Sequence, residues 1–145
     1  MAVSVVPALI DALVAASGGS DGLTVTEEPG DYLMVGVDDP DTDGGAFSGQ
    51  SRQQWAHANH TTRDESGEIT CAAYSWNGNG DQKAARDAAF ALVEQLAAVC
   101  RATPDLGIPT LAWTDFGADT NLSQFQGEWG ASALVVFTIA YRARI

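Results

Sequence analysis

Apolar side chains recur at helical spacing in two segments of the chain, and each segment predicts one amphipathic helix. The first covers residues 3–16, with Pro7 in the first turn, where a proline is tolerated. The second covers residues 82–101, with Asp81 placed to cap its N-terminus. The apolar stripe of this second helix consists of Ala85, Ala88, Ala89, Leu92, Val93, Leu96, Val99 and Cys100.

Elsewhere the apolar and polar positions alternate with the period of two that is typical of strands. Residues 38–49 interrupt this pattern as a long acidic loop rich in Gly and Pro, and residues 61–67 read as a charged turn. The predicted strands are residues 23–26, 31–37, 50–59, 68–76, 110–116, 122–129 and 131–144.

Two of these strands indicate how the elements pack. One face of residues 68–76 carries Ile69, Cys71, Ala73 and Ser75, and such small side chains let a helix approach closely. The last strand, 131–144, is apolar on both faces, which favours a central position in a sheet. The order helix, strands, helix, strands therefore predicts one α+β domain over residues 1–145, with a mostly antiparallel sheet and two helices packed on one face.

The strongly negative charge of the chain argues against some classes of function. Across 145 residues the formal net charge is −12, and residues 1–51 contain nine acids and no base. Such a surface repels phosphates, which argues against a nucleic-acid-binding footprint. No uncharged run exceeds 13 residues, which is too short for a membrane-spanning helix, and the start lacks the basic region of a signal peptide. We therefore expect no membrane partner and a protein that is cytoplasmic at synthesis.

Two candidate metal sites fail on their ligand patterns. Residues 39–44 read DPDTDG, like the opening of a calcium loop, but Gln50 stands where a bidentate Glu is required. His57 and His60 are three residues apart on a predicted strand, which places them on opposite faces. We interpret the first as a solvated acidic loop and the second as polar strand-end residues, and we expect no metal.

The sequence evidence for catalytic residues is as weak as that for metal sites. Cys71 and Cys100 lie inside apolar patterns, which indicates small buried thiols rather than nucleophiles. There is no G-x-S-x-G turn, and the Gly78–Gly80 turn lacks the Lys and Ser/Thr of a phosphate loop. We expect no enzymatic activity and no cofactor.

Several polar strands carry Gln and Trp where a solvated sheet face more often carries Lys, Glu and Thr. Gln and Trp offer contact area and hydrogen bonds without charge, which suits a protein–protein contact. An ordinary exposed sheet face is the alternative. The predicted subunit or partner interface consists of Gln53, Trp55, Gln124, Gln126 and Trp129.

The order of these segments resembles the tail terminator, or tail-completion, proteins of long flexible-tailed phages, especially those that infect actinobacteria. The segments that carry the resemblance are VPALIDAL (6–13), YLMVGVDD (32–39), EITCAAYSWNG (68–78), AARDAAFALVEQL (84–96) and VVFTIAYRARI (135–145).

The resemblance implies an α+β virion protein that forms a hexameric ring at the head-proximal end of the tail. Such a ring caps the tail tube, stops its polymerisation and contacts the head-closure or connector protein, while genomic DNA passes through the bore without sequence-specific binding. No cofactor or chemistry is implied. The family tends to line the bore with negative charge. We accordingly assign the acidic lumen or rim to Asp38, Asp39, Asp41 and Asp43.

Three other classes remain open at this point. A head-closure or connector protein would share the ring-forming logic, and the sequence separates it poorly from a terminator. A soluble acidic binding protein, such as a toxin–antitoxin partner, would be monomeric or dimeric. A small hydrolase would need a clustered triad that the sequence does not present.

Overall fold

Two helices and six strands follow one another in the computed structural model, which describes residues 3–22, 28–37, 48–55 and 62–145. The fold is α+β, as predicted. The elements are α1 (Val6–Ser17), β1 (Ser20–Asp21), β2 (Gly30–Val35), β3 (Gly49–Trp55), β4 (Arg63–Asn77), α2 (Gln82–Ala102), β5 (Leu111–Gly127) and β6 (Gly130–Arg144).

The strands form one sheet in the order β1-β2-β4-β6-β5, and β3 pairs with β4 beside β2. Only the short β1–β2 pair is parallel within the described part of the sheet. The longest ladder joins β4 to β6, from Asp64 opposite Arg144 to Asn77 opposite Ala131. On its other side β4 meets β3 through its first half and β2 through its second half. The predicted central position of β6 is confirmed.

Both helices pack on the same face of the sheet. Ile69, Cys71 and Ala73 of β4 are buried in one cluster with Ala85 and Ala89 of α2. Because most of these side chains are small, α2 can pack closely against the sheet. The predicted stripe of α2 is thus confirmed in its main positions. Ala97 is also buried, whereas Ala88, Leu92 and Val99 lie half-buried at its borders.

The opposite face of the sheet holds a smaller apolar cluster. Met34, Val37 and Ala72 are buried there, with Tyr74 and Leu134 packed against them. Leu134 and Val136 alternate along β6 with residues of the larger core, which explains why this strand reads as apolar on both faces.

A buried carboxylate joins α1 to the sheet. Glu65 of β4 is fully buried and accepts hydrogen bonds from the Ser4 hydroxyl and from the Val5 backbone N–H, the latter at 2.8 Å. The Tyr141 hydroxyl lies 3.3 Å from the same carboxylate. The N-terminus of a helix presents free N–H groups and partial positive charge, so a carboxylate at this place stabilises it. This contact also explains why α1 begins at Val6 and not at residue 3.

The predicted charged turn at residues 61–67 is wrong from Arg63 onward, because those residues begin β4. Polar side chains can occupy this stretch because β3 and β6 pair with it on both sides. Asp64, for example, accepts from the Arg144 guanidinium at 2.8 Å. The charged side chains gave this stretch the sequence pattern of a turn, although it pairs with β3 on one side and with β6 on the other.

The two strands predicted at residues 110–116 and 122–129 form the single strand β5, which corrects that prediction. The register slips between Phe116 and Thr120, where the intervening residues lie opposite Thr138. A Cβ at Gly117 would sit 1.9 Å from the Thr138 hydroxyl oxygen, so a glycine is required there. The bulge interrupts the alternation that would have revealed one long strand.

Other predicted segments lie partly or wholly outside the described residues. The predicted strand at 23–26 lies wholly outside them. The predicted acidic loop at 38–49 lies outside them apart from Ser48 and Gly49, and Gly49 is the first residue of β3. The predicted strand at 50–59 is described only as far as Trp55, where β3 ends.

Ala89→Asp should abolish cooperative folding, because it places a charged group without a partner in the centre of the α2–sheet contact. The expected cost is about 3–5 kcal/mol. Ala91→Asp is the matched control, since Ala91 is exposed two residues further along the same helix. Urea unfolding followed by circular dichroism measures both variants. Equal midpoints for the two would contradict the assigned packing face.

Glu65→Ala should lower the free energy of unfolding by about 3 kcal/mol, because it leaves the Ser4 hydroxyl, the Val5 N–H and the Tyr141 hydroxyl without their acceptor. Glu68→Ala, three residues further along β4 and only half-buried, should cost less than about 1 kcal/mol. Chemical denaturation gives both values. A Glu65→Ala chain as stable as the Glu68→Ala chain would show that the anchor does not hold α1.

Candidate interaction surface

The long strand β5 forms one edge of the sheet. Within the described residues it pairs with β6 alone, and most of its 17 residues are exposed. Trp113 is 43% exposed and Phe125 is 55% exposed, and Leu122 and Trp129 are exposed as well. A long edge strand with unpaired backbone groups and exposed apolar side chains is a template for pairing with another chain.

The exposed apolar residues of β5 lie on both faces of the strand. Trp113 and Phe125 stand opposite Arg142 and Ser132, which places them on the face without helices. Leu122 stands opposite the core residue Val135 and so lies on the helix-covered face. A partner would therefore follow the edge itself rather than one face of the sheet.

The predicted interface residues on β5 and its turn contact other parts of the chain. Gln124 accepts a hydrogen bond from the Arg86 guanidinium at 3.2 Å, and the Gln126 amide donates to the Gly80 carbonyl at 2.9 Å. These two bonds join β5 to the start of α2. Trp129, in the β5–β6 turn, packs edge-on against Trp76 with the ring centroids 6.1 Å apart. All three predicted residues remain exposed.

The other two predicted interface residues lie on β3, at the opposite edge of the sheet. The Gln53 amide donates to the Val3 carbonyl at 2.7 Å. Trp55 is 54% exposed, and the Arg63 guanidinium carbon lies 5.7 Å from its ring centroid. The structure therefore does not bring the five predicted residues together in one copy. It divides them between two edges, and Asp38, Asp39, Asp41 and Asp43 lie outside the described residues.

Several basic residues lie at one end of the sheet, where β3 pairs with the first half of β4 beside the C-terminal part of β6. We call this the β3 end. It is basic although the chain as a whole is strongly acidic. Arg52, Arg63, Arg142 and Arg144 lie here, four of the seven basic residues of the chain. On the face without helices, Arg52 and Arg142 border a concave pocket of about 460 Å³. Its lining includes Arg52, Asp64, Ser66, Glu68, Trp113 and Arg142. Charges of both signs line the pocket, and the Asp64 carboxylate lies 3.8 Å from the Arg142 guanidinium.

Trp113, Phe125 and Arg52 are surface residues that the sequence pattern alone did not indicate. Trp113 and Phe125 stand in predicted strands, but nothing in their spacing tells an edge strand from an inner one. A usable signal was the absence of Lys and Pro from residues 111–127, because natural edge strands often carry them as protection.

Reactive groups are few in the described part of the chain. Both cysteines are free and buried, as predicted. Burial raises the pKa of the Cys71 thiol from 9.0 to about 12, and burial also raises the pKa of Cys100. A thiol of this kind is protonated at neutral pH and is a poor nucleophile. The described residues contain no group of three His, Cys, Asp or Glu that could hold a metal ion.

Neither described helix combines the length and the apolar character needed to cross a membrane. Comparison with known proteins adds no family: no protein-family model matches the chain, and no curated protein sequence matches it.

The buried thiol should make folding stability depend on pH in the alkaline range. The pKa of Cys71 is higher in the folded chain than in the unfolded one, so the unfolded chain ionises first. The contribution is complete below about pH 9 and declines as the pH rises toward about 12, by about 1.4 kcal/mol per pH unit. The stability difference between the native chain and Cys71→Ala should shrink accordingly in urea unfolding at about pH 8 to 11. A constant difference would contradict the assigned environment.

Proposed function

We propose that this chain is a structural virion protein, the tail terminator of a long-tailed phage. In this role several copies form a closed ring, most simply a hexamer, that caps the tail tube, stops its polymerisation and joins it to the head connector. The observation that carries the proposal is the edge strand β5, which is long, exposed and lined by large apolar side chains.

Two edges at opposite sides of one sheet suit a ring. A contact between two different surfaces of neighbouring copies repeats from copy to copy, and it closes when its rotation allows. The chain offers β5 at one edge and β3 at the other, and both carry an exposed tryptophan. The division of the predicted interface residues between these edges supports a head-to-tail contact of this kind.

The charge of the chain also suits the proposed ring. A net charge of −12 on each copy repels DNA phosphates, so DNA would pass through the bore without adhering. Repulsion between copies would favour an arrangement in which the acids face the bore and the rim, where water and salt screen them. The four acids at positions 38, 39, 41 and 43 are the proposed rim residues.

The proposed role is assembly rather than catalysis. Both thiols lie buried with raised pKa values, and the concave pocket of about 460 Å³ bordered by Arg52 and Arg142 is lined by side chains of both signs. The proposed partners are accordingly other copies of the chain, the tail tube protein and the head connector. The proposed location is the head-proximal end of the virion tail, after assembly in the host cytoplasm.

Deletion of the gene from the phage genome that encodes the chain tests the proposal. Without a terminator, tube growth loses its stop, so electron microscopy should show overlong tails that are not joined to heads. A plasmid copy of the native gene should restore tails of uniform length. Tails of normal length that fail to join heads would instead identify a head-closure protein. Normal virions would rule out both roles.

A further inference from the structure

The strands at the two edges of the sheet, β3 and β5, lie level with each other and run in opposite directions. The register of the three ladders places Arg52 of β3 and Trp113 of β5 in one row across the sheet, and the next rows place Gln50 level with Asp115. The residues of the first row are Arg52, Ser66, Arg142 and Trp113. Since β3, β4, β6 and β5 alternate in direction, β3 and β5 run opposite to each other.

Consequently a second copy, rotated about an axis nearly parallel to the strands, would bring its β3 beside β5 as an antiparallel neighbour. Its helices would then lie on the same side of the continued sheet. Antiparallel neighbours exchange backbone hydrogen bonds along a common ladder. Most residues of both strands are exposed, and within the described residues β3 pairs with β4 alone and β5 with β6 alone.

The irregularities of β5 limit the length of this ladder. The register slips between Leu111 and Trp113 and again between Phe116 and Thr120. Residues 113–116 therefore form the regular stretch of this half of β5, and they lie level with residues 49–52 of β3. Bulges of this kind confine strand pairing to a defined segment.

The side chains of the two segments are complementary in charge. Arg52 is the one charged residue in the sequence of β3, and Asp115 is the one charged residue between positions 111 and 116. Both are exposed on the face without helices. The described chain contains no ion pair to Arg52, and the Asp115 carboxylate accepts a hydrogen bond from the neighbouring Phe116 N–H at 2.7 Å.

We infer that β5 of one copy pairs with β3 of the next through residues 113–116 and 49–52, with Arg52 of one copy against Trp113 and Asp115 of its neighbour. In the matched register Arg52 lies directly across from Trp113 and diagonally from Asp115, and a long side chain spans that diagonal. The guanidinium can then lie over the indole ring and pair with the carboxylate. This inference rests on the proposed ring, because it names the contact that closes it.

Charge reversal tests the contact on the purified full-length chain. Arg52→Asp alone and Asp115→Arg alone each place like charges together, and each should weaken self-association at least about tenfold in sedimentation at low salt. An equimolar mixture of the two variants restores opposite charges at every contact of an alternating, even-numbered ring, so association should return. Lys83→Asp, which reverses an exposed charge on α2, is the control and should associate like the native chain.

Cysteine cross-linking provides a second readout that also captures transient contacts. A chain with Gln50→Cys and Asp115→Cys places the two thiols at directly opposite positions of the inferred ladder, at a spacing that a disulfide can bridge. Oxidation should give a ladder of covalent oligomers. Gln50→Cys with Glu128→Cys, at the far end of the sheet, should give no more than collisional dimers. Equal cross-linking in both chains, or no rescue in the mixture, would overturn the inference.

The outcomes separate this inference from the proposed function. Overlong tails after gene deletion, together with no specific cross-linking, would leave the terminator role intact and place the subunit contact elsewhere. Specific cross-linking together with normal virions after deletion would establish the edge contact and refute the terminator role. Capture of an extended peptide of another protein by β5, with no self-association, would also refute the β3–β5 contact.

Discussion

The antiparallel ladder between β4 and β6 is the interaction on which the rest of this structure depends. It runs from Asp64 opposite Arg144 to Asn77 opposite Ala131, and every other strand of the sheet except β1 attaches directly to one of its two members. Both faces of the ladder carry buried side chains. Strands that are buried on both faces have little freedom to change register, because a slip of one residue would exchange the two sets of side chains.

The helices depend on the same ladder through two different interactions. The small residues Cys71 and Ala73 allow α2 to lie close to the sheet, so their size sets the position of that helix. The buried Glu65 holds the beginning of α1 by hydrogen bonds and by its negative charge. Because the first contact is apolar and the second polar, the two helices respond differently to solvent conditions.

Periodicity predicted the elements whose environment is uniform along their length. The stripe of α2 and the two apolar faces of β6 could be recognised because one kind of surrounding persists over several turns or residue pairs. The start of β4 was missed because Asp64 and Glu65 are charged, although Glu65 has buried hydrogen-bond donors around it. The continuity of β5 was missed because the bulge near Gly117 breaks the alternation. Both errors arise where tertiary contacts, which no local pattern encodes, decide the conformation.

The local sequence pattern also could not predict which strands lie at the edges of the sheet. Gln53 and Gln124 look alike in the sequence, yet they lie at opposite sides of the sheet, because pairing partners are decided by the order of strands. The interface prediction therefore named residues of two separate strands without anticipating that these strands lie at opposite edges. Trp113 became a candidate only when the ladders placed it in the same row as Arg52.

Self-assembly of an acidic chain requires that its contact surfaces carry little of the charge. A net charge of −12 opposes the approach of two copies, and that repulsion is weakest where acids are absent. The β5 edge carries no charged residue from position 120 to position 127, and β3 carries one arginine. Four of the seven basic residues lie at the β3 end of the sheet, so this end offsets part of the overall negative charge. The uneven placement of charge is thus compatible with the proposed ring, in which the acidic surface faces DNA and the edges with fewer acids meet.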